Sequence, residues 1–411
     1  MKKQSNTPHI RFQNYDDEWD VEKLKNIFGT IRNAFVGTAT PYYVENGNFY
    51  LESNNVKNGK INYNSQIFIN DEFYEKQKDK WLKTNDIVMV QSGHVGHTAV
   101  IPEELNNTAA HALIVFTDYK KEVNPHFLNY QFQSNGKRKE LDLISTGNTI
   151  KHILASEMKN FRMDFPTLDE QSAIGSLFRI LDDLLSSYKD NLTNYQSLKA
   201  TMLSKMFPKA VQTVPEIRLD GFEGEWELIK LGDFCDLITK GTTGKSQSEQ
   251  GKVNFVKVEN LKDNEIYPIV KISEEEHFGS LKRSILYKGD ILFSIAGTLG
   301  RTAIVKNNIL PANTNQALAI IRGYKLDAYF LLVVLSGEVV KDYIRKNPTV
   351  GAQPNLSLEQ VSSLKIKIPS LDEQQAIGSY FSNLDNLINS HQEKITQLGT
   401  LKKKLLENMF I

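Results

Sequence analysis

Apolar residues recur at intervals of three, four and seven, and once of eleven, along two stretches of the chain. In the first they are Ile174, Leu177, Leu181, Leu184, Tyr188, Tyr195, Leu198 and Met202; in the second, Ile377, Tyr380, Leu384, Leu387, Leu398, Leu401 and Leu405. That period places them on one helical face, at the spacing of a coiled-coil seam. Phe178, Leu185 and Leu192, with Phe381, Ile388 and Ile395, widen each stripe beyond what a two-stranded seam needs. Both stretches open on a capping box. "TLDE" from Thr167 and "SLDE" from Ser370 set a hydroxyl three residues before a glutamate, so that each satisfies a free amide at a helix start. Pro208 ends the first stretch. Each helix is expected to run about 38 residues, roughly 55 Å at 1.5 Å per residue, which makes a spacer. We expect the two to pair antiparallel through Ile174, Leu181 and Leu184 against Ile377, Leu384 and Leu387. Polar interruptions at matching places, Asn191 with Lys394 and Lys205 with Asn408, would fix the register.

Between Trp19 and Arg162, and between Trp226 and Lys367, the pattern changes to short β-rich runs broken by turns. "NFYLES", "DIVMVQSG" and "HALIVF" are followed in the second half by "VNFVKVENL", "GDILFSIAG" and "QALAIIRG". These segments read as α+β globules.

The two halves are duplicates. Pro166 to Phe207 aligns with Pro369 to Phe410 without a gap, and "PHIRFQNYDDEWDVEKL" from Pro8 parallels "PEIRLDGFEGEWELIKL" from Pro215. Within the globules "DIVMVQSGHVGHTAVI" from Asp86 parallels "DILFSIAGTLGRTAIV" from Asp290. Gly93, Gly96, Thr98 and Ala99 meet Gly297, Gly300, Thr302 and Ala303, whereas His94 and His97 become Thr298 and Arg301. The expected architecture is two globules, 1–165 and 217–368, separated by two long antiparallel helices, 166–208 and 369–411, with a linker at 209–216. An internal pseudo-two-fold repeat relates the halves.

Composition adds limits. A chain of 411 residues suits two or more domains, and a single cysteine, Cys235, forbids an intrachain disulfide and suggests a reducing cytoplasm. No apolar run reaches the roughly 18 residues that span a bilayer, and no signal peptide is expected. The net charge of zero argues against a nonspecific polyanion binder and leaves local basic patches open.

Catalytic signals are weak. "TKGTTGKS" from Thr239 lacks the first glycine of a phosphate-binding loop, and "HVGH" at His94 to His97 has no third metal ligand in view. No Pro-Pro pair exists from which an amino-methyltransferase loop could be made, and no nucleophile, base and orienter assemble from the spacings. The residues read as a non-catalytic binder, with neither metal nor cofactor expected in this chain.

The layout of "IRF", Trp and "KL", a variable globule, "LDEQ.AIG" and a long helix, all repeated, resembles the specificity subunit of type I restriction-modification enzymes. "LKRSILYKGDILFSIAGTLGRTAIV" from Leu281 is similar to that family's target recognition domains. The resemblance implies that each globule reads one half of a split, asymmetric double-stranded DNA target. It implies helices that dock two methyltransferase subunits, and restriction subunits acting as translocating nucleases. Those partners would bring S-adenosylmethionine, ATP and magnesium for adenine methylation and cleavage. Base edges are read by hydrogen-bonding side chains. The candidates are Gln91, Ser92, His94, His97, Asn148, Thr149 and Lys151 in the first domain. In the second they are Lys240, Thr242, Thr243, Lys245, Ser246, Thr298, Arg301, Gln353 and Asn355. The alternatives are a stand-alone DNA-binding or scaffold adaptor and an enzyme with a diverged site.

Overall fold

The structure is a computed structural model that describes residues 6–147, 151–209, 211–244, 251–346 and 355–411. Two uninterrupted helices dominate it, α1 (Leu168–Lys205) and α2 (Leu371–Asn408), each of 38 residues. The chain forms two compact units, Met1–Lys189 with Glu393–Ile411, and Asp190–Gln392. The first half of α1 and the last part of α2 therefore belong to the first unit, and the remaining halves to the second. Each globule is completed by a piece of the other repeat copy.

In the first unit the strands β1 (Phe28–Asn33), β2 (Ile87–Val90), β3 (Thr98–Val100) and β4 (Leu113–Tyr119) form an antiparallel sheet in the order β1-β4-β2-β3. Phe116 stands opposite both Ile31 and Ile87, which fixes the register. All four residues of β2 are buried because both faces are covered. Ile87 and Met89 pack with Phe127 and Phe178, while Val88 and Val90 pack with Leu51 and Leu82. This explains continuous apolar runs where a one-sided sheet would alternate. The second unit repeats the plan with β5 (Cys235–Lys240), β6 (Ile291–Ser294), β7 (Thr302–Ile304) and β8 (Leu318–Tyr324), ordered β5-β8-β6-β7.

The repeated motif at the start of each long helix is accounted for letter by letter. Thr167 and Ser370 accept from the amides of Glu170 and Glu373, both at 3.4 Å. The carboxylate half of the expected capping box does not form. Glu170 is instead fully buried and bound through both oxygens to Arg11 at 2.7 and 2.8 Å, and Glu373 likewise to Arg218 at 2.8 and 2.7 Å. The "IR" motif and the "LDEQ" motif recur together because they are two ends of one bidentate ion pair. Gln171 accepts from the Asn124 amide at 3.0 Å and donates to Pro166; Gln374 does the same with Asp327, at 3.1 Å, and Pro369. A Cβ on Gly175 would lie 2.8 Å from Asn124 Oδ1, and one on Gly378 2.3 Å from Asp327 Oδ1, so the helix crosses at glycine.

The seam itself is displaced from the expected one. Buried and half-buried positions run Ile174, Phe178, Leu181, Leu185, Tyr188, Leu192, Tyr195, Lys199 and Met202 in α1, with Met206 just past its end, and recur 203 residues later from Ile377 along α2 to Met409 just past its end. Ile174, Leu181, Ile377 and Leu384 are buried as expected. Leu184 and Leu387, expected to pair, stand 42% and 40% exposed. Two heptads overlap in each stripe, and the aromatic one, carrying Phe178 and Phe381, turns inward because it meets Phe410 in the first unit and Phe207 in the second. Asn191 and Lys394 are exposed; the seam's lysines are Lys199 and Lys402. Lys402 meets Asp182 at 2.6 Å in the first unit, and Lys199 meets Asp385 in the second. With Phe178 beside Phe410 and Asp182 beside Lys402, the pairing within the first unit is antiparallel. The same holds in the second, from Phe381 beside Phe207 and Asp385 beside Lys199.

Candidate nucleic-acid interface

Each four-stranded sheet ends, on one side, in a turn that needs glycine. Between β2 and β3, Gly96 donates to the Val90 carbonyl at 3.0 Å and Val90 to that of His97 at 2.8 Å. Between β6 and β7, Gly300 donates to Ser294 at 3.1 Å and Ser294 to Arg301 at 2.8 Å. Gly93, Gly96, Gly297 and Gly300 have φ of +80°, +79°, +74° and +81°. A side chain at such angles is disfavoured, which is why both copies share the glycines while the residues between them differ.

A second segment joins the same edge. In the first unit Ser92 bridges His152, Gly93 donates to Lys151 at 3.1 Å, and Ile153 donates to Gln91 at 2.9 Å. Gln91, Ser92, His94, His97 and Lys151 are thus brought together, with the Lys151 ammonium held by Asp142 at 2.7 Å. In the second unit Ala296 bridges Asn355, and Leu356 donates to Ile295 at 2.8 Å, so Thr298, Arg301 and Asn355 share the equivalent edge. Lys240, Thr242 and Thr243 arrive from the neighbouring strand. Lys240 pairs with Ala319, which pairs with Phe293; Thr242 donates to Thr314 at 3.0 Å and Thr243 to Gln316 at 2.9 Å. Asn148, Thr149, Lys245, Ser246 and Gln353 lie outside the described residues.

The chemistry available differs between the two edges. His97 Nδ1 accepts the Asn58 amide at 3.2 Å, which leaves the ring proton on Nε2. Burial first, then the electrostatic influence of Arg138, His94 and Lys57, hold its pKa below the ordinary histidine range. His97 therefore presents a neutral imidazole. At the matching place Arg301 presents a cation whose Nη1 donates to the carbonyls of Val258 and Leu261, each at 3.2 Å. Among the described residues, no group of three or more His, Cys, Asp or Glu is placed to hold a metal, and no helix is long and apolar enough to cross a membrane.

The chain that builds this edge twice on one scaffold with different side chains matches a known family in sequence. The family model for the type I restriction modification DNA specificity domain matches residues 12–194 and again 223–400. The chain belongs to that family. It carries two recognition domains, as a type I specificity subunit does. It is 21% identical to the type I restriction enzyme MjaVIII specificity subunit of Methanocaldococcus jannaschii, over 98% of this chain and 95% of that one. It is also 21% identical to the EcoBI specificity subunit of Escherichia coli, over 80% and 74%. The crystal structure of a type I restriction-modification system S subunit from M. genitalium superposes with a TM-score of 0.66 at 17% identity, covering 98% of this chain and 99% of that one.

Given two specificity domains on one plan, sheet pairing finds edge residues that the sequence reading passed over. Lys240 stands opposite Ala319, which on its other side faces Phe293; in the first domain, Ile114 and Met89 hold the places of Ala319 and Phe293 and put exposed Asn33 where Lys240 is. Beside it, His111 Nε2 meets the Gly37 carbonyl at 3.0 Å and Nδ1 meets Glu52 at 3.3 Å. Hydrogen bonding to Glu52 holds the His111 pKa above its ordinary value. Glu52 in turn accepts from Tyr43, whose hydroxyl is pushed up to about 12, chiefly by burial. No sequence signal marks Asn33 or His111, because this part of the two middles barely matches and only the strand ladder aligns it.

Proposed function

We propose that the chain is the non-catalytic, sequence-reading subunit of a cytoplasmic type I restriction-modification assembly. Each domain reads one half of a split, asymmetric duplex target through its glycine-turn edge. The long helices dock two methyltransferase subunits, to which restriction subunits attach; S-adenosylmethionine, ATP and magnesium belong to those partners. The observation that supports this is one backbone edge presented twice with different donors and acceptors, His94 and His97 against Thr298 and Arg301. Unequal edges on equal scaffolds suit unequal half-sites.

Arg301 tests the reading. Arg301→Lys keeps the charge but not the planar guanidinium, whose Nη1 donates to both carbonyls and leaves its other N–H donors for a base edge. We expect Lys, like Ala, to lose about 1 to 3 kcal/mol of discrimination, confined to the half-site read by the second domain. Binding to duplexes varied in one half-site at a time measures it, once methylome sequencing with and without the chain has supplied the target. Equal weakening on every duplex, or a target unaffected by the chain, contradicts the assignment. A solitary chain without sequence preference would instead make it an adaptor.

A further inference from the structure

A groove of about 630 Å³ opens in the first unit between the hairpin 56–61, the helix Asn135–Ile144 and the facing sides of α1 and α2. Six cations line it, Lys57, Lys60, Arg138, Lys189, Lys402 and Lys403, against one lining carboxylate, Asp182, which Lys402 already neutralises. Glu407 lies beyond the lining and accepts from Asn135. Lys57, Lys60, Arg138 and Lys403 are exposed, and no carboxylate among the described residues stands within ion-pair distance of them. Arg138 also lines a smaller adjoining cavity with Gly96 and His97, so the groove runs on to the recognition edge.

The duplication supplies a control within the molecule. The second unit builds the same hairpin at 261–266, with the same left-handed turn: Asp263 and Asn264 have φ of 51° and 62°, against 52° and 83° for Asn58 and Gly59. Yet Asp263 and Glu265 stand there in place of Asn58 and Lys60. On the helices Glu338 replaces Asn135, Gln392 replaces Lys189 and Ala200 replaces Lys403. Three cations, Lys199, Lys262 and Lys341, then face four carboxylates, Asp263, Glu265, Glu338 and Asp385. Glu265 is further paired with Lys306, and Glu338 with Arg345. The same fold is therefore made with the charge balance reversed, so folding does not require the basic groove. Uncompensated cations concentrated in a concavity form a polyanion site.

We propose that the first unit holds a run of DNA phosphates in this groove, leading from the His97 edge onto the long helices, and that the second unit makes no such contact. The inference rests on the DNA-reading function above and adds an asymmetric, sequence-independent grip to it. Duplex DNA carries about one charge per 1.7 Å of axis, which suits spaced cations along a continuous track.

The test is a salt titration of duplex binding by the full chain, on a duplex with both half-sites and on one with scrambled half-sites. The combined variant Lys57→Gln, Lys60→Gln and Lys403→Gln is expected to lower the slope of log affinity against log salt by about 0.9 per lost contact, up to roughly 2.7, on both duplexes alike. Discrimination between the duplexes should be unchanged. Replacing the same lysines by arginine should preserve the slope, and Lys262→Gln with Lys341→Gln in the second unit should leave it at the parent value. A parental slope in the Gln variant overturns the proposal, as does an unchanged slope accompanied by loss of a protein partner, which would make the groove a site for an acidic polypeptide. A parent that does not distinguish the duplexes contradicts target reading and still leaves the slopes to be compared.

Discussion

Phe410→Ala is expected to destabilise the unit built from the first half of the chain by about 3 to 5 kcal/mol, the cost of emptying an aromatic site that cannot collapse. Phe410 lies at the far end of the sequence from that unit's sheet. Its ring nevertheless packs 5.6 Å from Phe127, 5.7 Å from Phe178 and 6.4 Å from Trp19. Phe207 occupies the matching place in the second unit, 5.9 Å from Trp226 and 6.0 Å from Phe330 and Phe381. Hydrogen exchange resolved along the chain reads the outcome. Phe410→Ala should lose protection across 20–189 and keep it across 227–368, and Phe207→Ala should do the reverse. A loss confined to the last turn of α2 would mean that the core does not depend on its borrowed aromatic.

How much of this was legible follows from the range of each interaction. Helix existence, starts and length were legible, because capping hydroxyls and apolar period are local signals, and Leu168–Lys205 and Leu371–Asn408 carry both. The glycine turns were legible through the repeat, since glycine takes φ near +80°, as at Gly93 and Gly297, without the cost a Cβ would add. The phase of the seam was not. Leu184 and Leu185 are equally apolar, and what turns Leu185 inward is a neighbouring heptad anchored by Phe178 on an aromatic from the other repeat copy. The fate of Glu170 was hidden likewise, because a capping box reads the same whether the carboxylate turns back to its own helix or out to Arg11. The Asn33 edge lacked any local mark. It becomes visible only when strand pairing sets Asn33 where Lys240 stands in the second domain.

Lys402→Met alone should cost about 3 to 5 kcal/mol, because it leaves Asp182 as a buried carboxylate with only a hydroxyl for company. That hydroxyl is Tyr130's, at 2.8 Å, and the second unit supplies Asp385 with one from Tyr329, also at 2.8 Å. The two tyrosines are not equivalent in the repeat, since Tyr329 aligns with His126 and Tyr130 with Val333. Two positions one helical turn apart deliver the same donor, which indicates that the carboxylate, and not the tyrosine position, is what the architecture keeps. Each ion pair joins one copy's aspartate to the other copy's lysine, and this defines the register. A slip of one heptad would set Lys402 against Lys189 or Gly175, and Lys199 against Gln392 or Gly378, stranding charge each time. Asp182→Leu combined with Lys402→Met removes both charges and is expected to recover most of the loss, as apolar replacements of buried pairs commonly do. Denaturant unfolding of the two singles and the double closes a mutant cycle, with a coupling of about 3 kcal/mol expected, the upper end for side chains in contact. Additive losses would show that the pair is solvated in effect and does not set the register. If the double variant regains stability but its hydrogen-exchange pattern splits into two populations, the charges serve alignment more than strength, which is the role their position in the seam implies.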